Sequence, residues 1–496
     1  MNHLLIIPVI LPLFSAILML FFKNRSIQRV INVIAAFALF SVSLLLLFEV
    51  KENGIIVTQL GNWPAPFGIT LVADMLSIIM VTVSAFVAFN IALYSLAGID
   101  KNRESFGYYP LLHILFMGVN GAFLTGDLFN LYVWFEVMLM SSFVLMALGG
   151  ERRQMEGAVK YVTINFISSV FFLAGLGLLY GNIGSLNMAD LAVKMQSTSN
   201  SQLIMASSML LLVAFGIKAA LFPLYFWLPA SYHVPPIVVS AVFAGLLTKV
   251  GVYTLIRVYT LIFIQDTGYI TTIFLILSAF TMVSGVLGAA VQFEFRKILS
   301  FHIISQIGYM TLGLALFTPL ALAAAVFYLF HHIIVKTNLF LISGITHYIK
   351  GHNDLKKSGG LYKSYPFLAL LILIPALSLG GIPQLSGFFA KFSIIKAGII
   401  NEEYFVVFIA LAVSVLTLYS MTKIWAEVFW KKDPSPEIVE SKKTIPVLLI
   451  LPVIIMALAT IVIGFYPQPF IEISNLAGEQ LMDPQRYIKA VMGILK

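Results

Sequence analysis

Apolar residues run through this chain in stretches of some twenty, each closed by a short polar segment. An α-helix needs about 20 apolar residues to cross a hydrocarbon layer. Such runs fall near 4–22, 30–48, 71–97, 108–125, 127–148, 159–180, 203–228, 237–262, 270–291, 299–317, 320–348, 366–399, 404–430 and 445–466. The pattern predicts an all-α polytopic membrane protein of about 14 transmembrane helices. Only 49–70, 181–202, 350–365, 431–444 and the tail after Tyr466 are long enough to hold structure outside a membrane. Two runs are interrupted: 203–228 by Pro223 and Pro229, and 366–399 by Gly380, Gly381, Pro383 and Gly387. A break inside a span frees backbone carbonyls, which are tolerable only against protein or a wet cavity.

Composition supports this class. Hydrophobic residues make up 60% and charged residues 10%, against about 25% charged in soluble domains. The net charge of +8 gathers in short loops, so it reads as topology rather than as a nucleic-acid footprint. The expected surroundings are a lipid bilayer, with no nucleic-acid partner. One alternating set of loops carries eighteen basic residues (Lys23, Arg25, Arg29, Lys101, Arg103, Arg152, Arg153, Lys160, Arg296, Lys297, Lys350, Lys356, Lys357, Lys363, Lys431, Lys432, Lys442 and Lys443). The opposite set carries only Lys51 and Lys194, with three more in the tail. Positive loops face the cytoplasm, which puts both termini outside for an even number of spans. The tail reads equally as a short interfacial helix or a frayed end. The absence of cysteine excludes disulfides, thiolate metal sites and iron–sulfur ligation. The first residues lack the basic region of a cleavable signal, and no nucleotide motif follows a strand.

Charges inside the apolar runs carry the candidate chemistry. Lys218 lies just before the first break, Lys249 at the centre of 237–262, Lys336 within 320–348 and Lys391 after the second break. A lysine at mid-membrane costs roughly 3 kcal/mol on insertion scales, so it marks an ion or proton path by default. Desolvated lysines exchange protons near neutral pH. Glu136, in GDLFNLYVWFEVMLMSSF, is the natural partner of Lys218, because each lowers the cost of charging the other; an inert pair joining two helices is the plainer alternative. His302, His331 and His332 also lie in apolar runs and suit proton relay, or simply a hydrogen bond to a neighbouring helix. Adjacent helical residues point about 100° apart, so His331 and His332 cannot serve one metal or one haem. Arg257 and Lys423 sit toward span ends, where snorkelling is expected, and Asp74 reads as a helix-end charge. The lysine precedes one break and follows the other, as inverted repeats would give.

These residues resemble the D subunit of the Mrp-type multisubunit Na+/H+ antiporters and, more distantly, the antiporter-like subunits of respiratory complex I. The likeness rests on GAFLTGDLFNLYVWFE with Glu136, FGIKAALFPLYFWLP with Lys218, GLLTKVG with Lys249 and GGIPQLSGFFAKF with Lys391. The opening IIPVILPLFSAILMLFF, the segment GNWPAPFGITLVADMLS and the length favour the Mrp D subunit. The resemblance implies two inverted five-helix repeats, each with a broken helix, at 108–262 and 263–430. Helices 1–3 precede them in 1–107, and a last helix and tail follow in 431–496. It also implies a proton path through Glu136, Lys218, Lys249, His331, His332, Lys336 and Lys391, with Glu136 and Lys218 as a switchable pair. Two positions depart from the family pattern: Gln384 replaces a second proline, and His332 replaces an acidic residue.

The expected function is a proton-translocating, antiporter-like subunit of a Na+/H+ antiporter complex in a bacterial cell membrane, not an enzyme. Protons and Na+ are its expected ions, no cofactor is expected, and the resemblance implies A, B, C, E, F and G type subunits as partners. The alternative is a proton-pumping subunit of an NADH–quinone oxidoreductase or related respiratory complex. A haem subunit ligated by membrane histidines would show a Soret band. A mere scaffold would leave the midplane lysines without a use.

Overall fold

Length and apolar character translate into helices almost run for run. The structure, a computed structural model, describes residues 3–197, 201–434 and 443–493. Lys442 and the rest of 435–442 therefore lie outside the described residues. The helices used below are α1 (Ile7–Phe21), α2 (Arg25–Asn53), α3 (Met75–Gly98), α4 (Tyr108–Leu124), α5 (Leu128–Ala147) and α6 (Arg152–Ile183). Next come α7 (Ser201–Ala219), α8 (Trp227–Ser231), α9 (Ile237–Leu261), α10 (Thr267–Ala290), α11 (Phe295–Leu316) and α12 (Pro319–Lys350). The last six are α13 (Pro366–Gly380), α14 (Ser386–Ile400), α15 (Tyr404–Trp430), α16 (Val447–Phe465), α17 (Gln468–Met482) and α18 (Pro484–Met492). Among the described residues twelve helices are long and apolar enough to cross a membrane; α4 and α13 are shorter apolar helices. The chain is a multi-pass membrane protein.

Local chemistry sets the helix starts. Asp74 caps α3 by accepting from Ser77 N at 2.9 Å, while Ser77 Oγ accepts in turn from Asp74 N. Asp127 caps α5 and Thr318 caps α12, whose first residue is Pro319; there a missing N–H costs nothing. Helices α3, α9, α11 and α12 are almost wholly buried, whereas α1, α2, α6, α10 and α15 keep a broad outer face. The first four therefore form the core, and the others turn apolar side chains outward, as lipid-facing helices must.

Both interrupted runs are broken, though not by every residue expected to break them. Helix α7 ends at Ala219, Ala220 takes φ 62°, and the chain resumes as α8 at Trp227. Pro223 lies in the break, but Pro229 lies in the first turn of α8, where proline is compatible with helix. Helix α13 stops at Gly380; Gly381 (φ 90°) and Gln384 (φ 68°) turn the chain before α14. A proline ring fixes φ near −65°, so the family's proline could not adopt the backbone that Gln384 has here.

The 49–70 segment holds the structure that its length allows: Ile56–Gln59 (β1) pairs antiparallel with Thr70–Ala73 (β2), in the register Ile56↔Ala73 to Gln59↔Thr70. A further expectation is corrected. Arg257 does not snorkel; it is 4% exposed and forms a bidentate pair with Asp74, itself 2% exposed, at 2.6 and 2.7 Å. Its guanidinium also faces the rings of Tyr253 and Tyr487 at 5.6 and 5.2 Å. Of the two readings of the tail the helical one holds as far as the described residues reach: Pro484–Met492 is helix α18, while α17 before it packs on α12 and α3, and Gln480 Oε1 accepts from Met75 N at 2.9 Å.

Loop contacts sort into two ends. At one, Arg29 pairs with Glu104, Arg103 with Glu151 and Lys350 with Asp433, and Glu294 bridges to Asp354. At the other, Asp127 bridges to Asn187, Asn187 bonds Thr70, and Gln59 reaches Val491. The basic loops thus meet one another at a single end. Lys423 also lies there, with its ammonium on the carbonyls of Ala290 and Gln292 at 2.7 and 2.8 Å.

Candidate functional site

Helix breaks leave backbone acceptors inside the apolar core, and the buried lysines go to them. Lys218 lies on the last turn of α7; its Nζ donates to the Asn165 carbonyl at 3.4 Å and lies over the Phe135 ring at 5.4 Å. Glu136 does not form an ion pair with it. The carboxylate instead accepts from Ser169 Oγ, and the same hydroxyl lies 3.2 Å from the Asn165 carbonyl. Asn165 and Ser169, one turn apart on α6, therefore stand between the acid and the base. Neither was expected from the sequence. Their signal was two polar residues at i, i+4 in the apolar run YVTINFISSVFF, a spacing that puts them on one helix face.

Lys249 sits on α9 just after a π-helical turn at Phe243–Leu247, and its ammonium bonds the Ala244 carbonyl within that turn. Such single π-helical turns inside α-helices are rare and frequently lie at functional sites. Two residues on, Gly251 lets α9 touch the end of α7: a Cβ there would lie 2.5 Å from Ala219 N. Lys249 is fully buried, and its charged neighbour is Lys336 on α12. No carboxylate faces either lysine in an ion pair among the described residues, and Lys336 Nζ makes no hydrogen bond. Around Lys336 stand His332 and His302, neither with a ring partner, and the hydroxyls of Thr248 and Ser305 are also unbonded. A buried charge without a partner is costly, so a charge on any one of these groups is disfavoured.

The two adjacent histidines diverge as helix geometry requires. His332 faces Lys336 and Lys249, whereas His331 Nδ1 bonds Ser386 Oγ at 2.7 Å, at the start of α14. Ser386 contacts Ser378 at 3.1 Å, which in turn accepts from Gly387 N at 3.0 Å. Lys391 completes the row on α14. Its Nζ donates to the Gly380 carbonyl at 3.2 Å and to Ser414 Oγ at 2.9 Å, and lies 5.2 Å from the Tyr309 ring centre. A cation there meets the negative C-terminal end of α13, a favourable position. Each broken helix thus holds a buried lysine. Among the described residues no group of three or more His, Asp or Glu could hold a metal ion.

Comparison with known proteins places this arrangement. Residues 125–417 match the family model described as NADH:quinone oxidoreductase/Mrp antiporter, TM. Over 493 residues the chain is 47% identical to the D subunit of the Na+/H+ antiporter of Alkalihalophilus pseudofirmus, covering 99% of this chain and 100% of that one. The corresponding D subunit of the Na+/H+ antiporter of Bacillus subtilis is 40% identical over 496 residues, with the same coverage. Among solved structures, a chain of the Mrp complex from Dietzia sp. DQ12-45-1b superposes with a TM-score of 0.93 at 32% identity, covering 99% of this chain and 100% of that chain. Alike in fold over its whole length and in sequence to these proteins, the chain belongs to the NADH:quinone oxidoreductase/Mrp antiporter transmembrane family, in its branch of Na+/H+ antiporter D subunits.

Proposed function

We propose that this chain is the D-type subunit of a multisubunit Na+/H+ antiporter, and that it moves protons along its buried acid, lysines and histidines while Na+ is exported by the complex. The observation that carries the reading is the Glu136–Ser169–Asn165–Lys218 network at the first helix break, where acid and base are linked through two bridging groups. A pair linked in this way can close to hold a proton on Lys218 and open to release it. From Lys218 the proton passes to Lys249, then to the group of Lys336, His332 and His302, and by way of His331 to Lys391. Full-length relatives named as antiporter subunits favour this reading over a respiratory proton pump.

The subunit works as a secondary transporter without catalysing a covalent reaction. Its partners are the A, B, C, E, F and G type subunits, and its place is the bacterial cell membrane with both termini outside. The two runs of five helices at 108–262 and 263–430 are inverted repeats, and α4 and the α13–α14 pair bring the spans to fourteen. The contacts that gather the basic loops at one end support this orientation.

Glu136→Gln and Lys218→Ala test the mechanism. Each should stop Na+-dependent proton movement in vesicles while native gels show an intact complex. The double variant should be no worse than either single one, since the two residues act as a unit. Antiport by Glu136→Gln at the wild-type rate would end the mechanism.

A further inference from the structure

Between Lys218 and Lys249 lies a buried group that the network above does not use. Tyr232 directly follows α8, so one broken helix supplies Lys218 before its break and Tyr232 after it. Its ring is fully buried, edge-on to Trp227 at 5.5 Å and tilted against Phe243 at 5.7 Å. Its hydroxyl makes no hydrogen bond. Buried phenols ordinarily find a partner, and leaving a buried polar group without one costs about 1–3 kcal/mol.

The same tyrosine borders a cavity of ≈ 20 Å³, whose wall also includes Lys218, Asn165, Tyr161 and Leu247. About 10–15 Å³ accommodates one water if it meets two to four polar groups, and Lys218, Asn165 and Tyr232 offer them. The cavity is also placed for transfer. Phe243 and Leu247 open and close the π-helical turn whose Ala244 carbonyl holds the Lys249 ammonium. One wall therefore belongs to the donor lysine and the other to the backbone that seats the acceptor.

We propose that the Tyr232 hydroxyl holds one water against Lys218, and that this water is the first acceptor of the Lys218 proton on its way to Lys249. This rests on the proton-transfer reading above. In the step, an N–H bond of Lys218 breaks and an O–H bond to the water forms, while a proton already on that water leaves toward the Lys249 amine. The water is regenerated, and the phenol keeps its own proton. Tyr232 is thus a positioning residue, acting through the water it holds. A ring present for packing alone would be replaced without loss by phenylalanine, which keeps every contact with Trp227 and Phe243.

The experiment compares Tyr232→Phe, Leu247→Phe and Lys218→Ala in the assembled complex. The readout is Na+-dependent proton movement in vesicles prepared in H2O and in D2O. Tyr232→Phe should lose at least about tenfold in rate, less than the roughly 10²–10⁴-fold contributed by a group that itself transfers the proton. It should also show a larger solvent isotope effect, with thermal stability and assembly unchanged. Leu247→Phe, which fills the cavity and leaves the hydroxyl in place, should show the same two changes. Wild-type rates in either phenylalanine variant beside a silent Lys218→Ala overturn the water-holding role alone. Loss of assembly together with rate in Tyr232→Phe assigns the residue to packing and also overturns it. An active Lys218→Ala instead removes the transport reading beneath it.

Discussion

Asp74→Asn removes one charge from the Asp74–Arg257 pair and little else. Asparagine keeps an oxygen for Ser77 N, 2.9 Å away, so the start of α3 retains its cap, worth about 1 kcal/mol. What is lost is the compensation of a guanidinium whose side chain is 5% exposed and whose two nitrogens lie 2.6 and 2.7 Å from the carboxylate. Breaking a buried pair from one side costs about 3–5 kcal/mol, because a charge is left unpaired. The rings of Tyr253 and Tyr487 already face Arg257 in the intact protein, so they offset none of this. Adding Arg257→Met removes the stranded charge, and the double variant should fall within about 1–2 kcal/mol of the wild type. Denaturant titration of the detergent-solubilised protein measures both. Proteolysis at Arg486 and Lys489 should accelerate in the single variant, since Tyr487 ties α18 to this guanidinium. An Asp74→Asn protein within about 1 kcal/mol of the wild type would refute the reasoning, as would a double variant no better than the single one.

Three further outcomes are expected. Lys391→Ala should abolish antiport in an assembled complex, and Lys391→Arg should not restore it fully, because arginine stays charged where a carrier must release its proton; wild-type transport by the alanine variant would take Lys391 off the path. With cysteines introduced singly at exposed Gln265 and Lys357 of this cysteine-free chain, an impermeant thiol reagent added outside should label position 265 only, and the reverse pattern would invert the topology. Burial, with Arg296, Lys297 and Arg153 nearby, holds His233 down to about 4 in the folded protein. Its folded value lies below the unfolded one of about 6.5, so stability should fall as pH drops from about 6.5 toward 4, and His233→Gln should flatten that fall in thermal scans.

The hydrophobic pattern made the spans legible because length and apolarity alone decide whether a segment crosses a bilayer. Both broken helices were legible from Pro223 and from the Gly381–Pro383 stretch, since few other residues end a helix in an apolar setting. What escaped depended on partners far away in sequence. Arg257 looked like a snorkelling end residue because Asp74 is 183 residues away. Strand β1 hid in a loop because four residues give no readable period. Gln468–Met482 could be seen as amphipathic, but not that α12 would cover it. In the site, charged residues announced themselves by their cost in lipid, whereas Asn165, Ser169, Ser386 and Ser414 did not. Serine and asparagine are common enough in membrane helices that only contact distances separate a bridge from a bystander. The divergence of His331 and His332 followed from helix geometry; that His331 would meet Ser386 did not.

Ser169 has a consequence for how acid and base communicate. A serine carries one hydroxyl proton, and here it faces two acceptors, the Glu136 carboxylate and the Asn165 carbonyl. While Glu136 is ionised the proton turns to it, and the Asn165 carbonyl is left for the Lys218 ammonium. Were Glu136 to take up a proton, it would become the donor, the hydroxyl would swing to Asn165, and the lysine would have to share its acceptor. One rotor with two mutually exclusive settings would then report the state of the carboxylate to the lysine, with no movement of a helix.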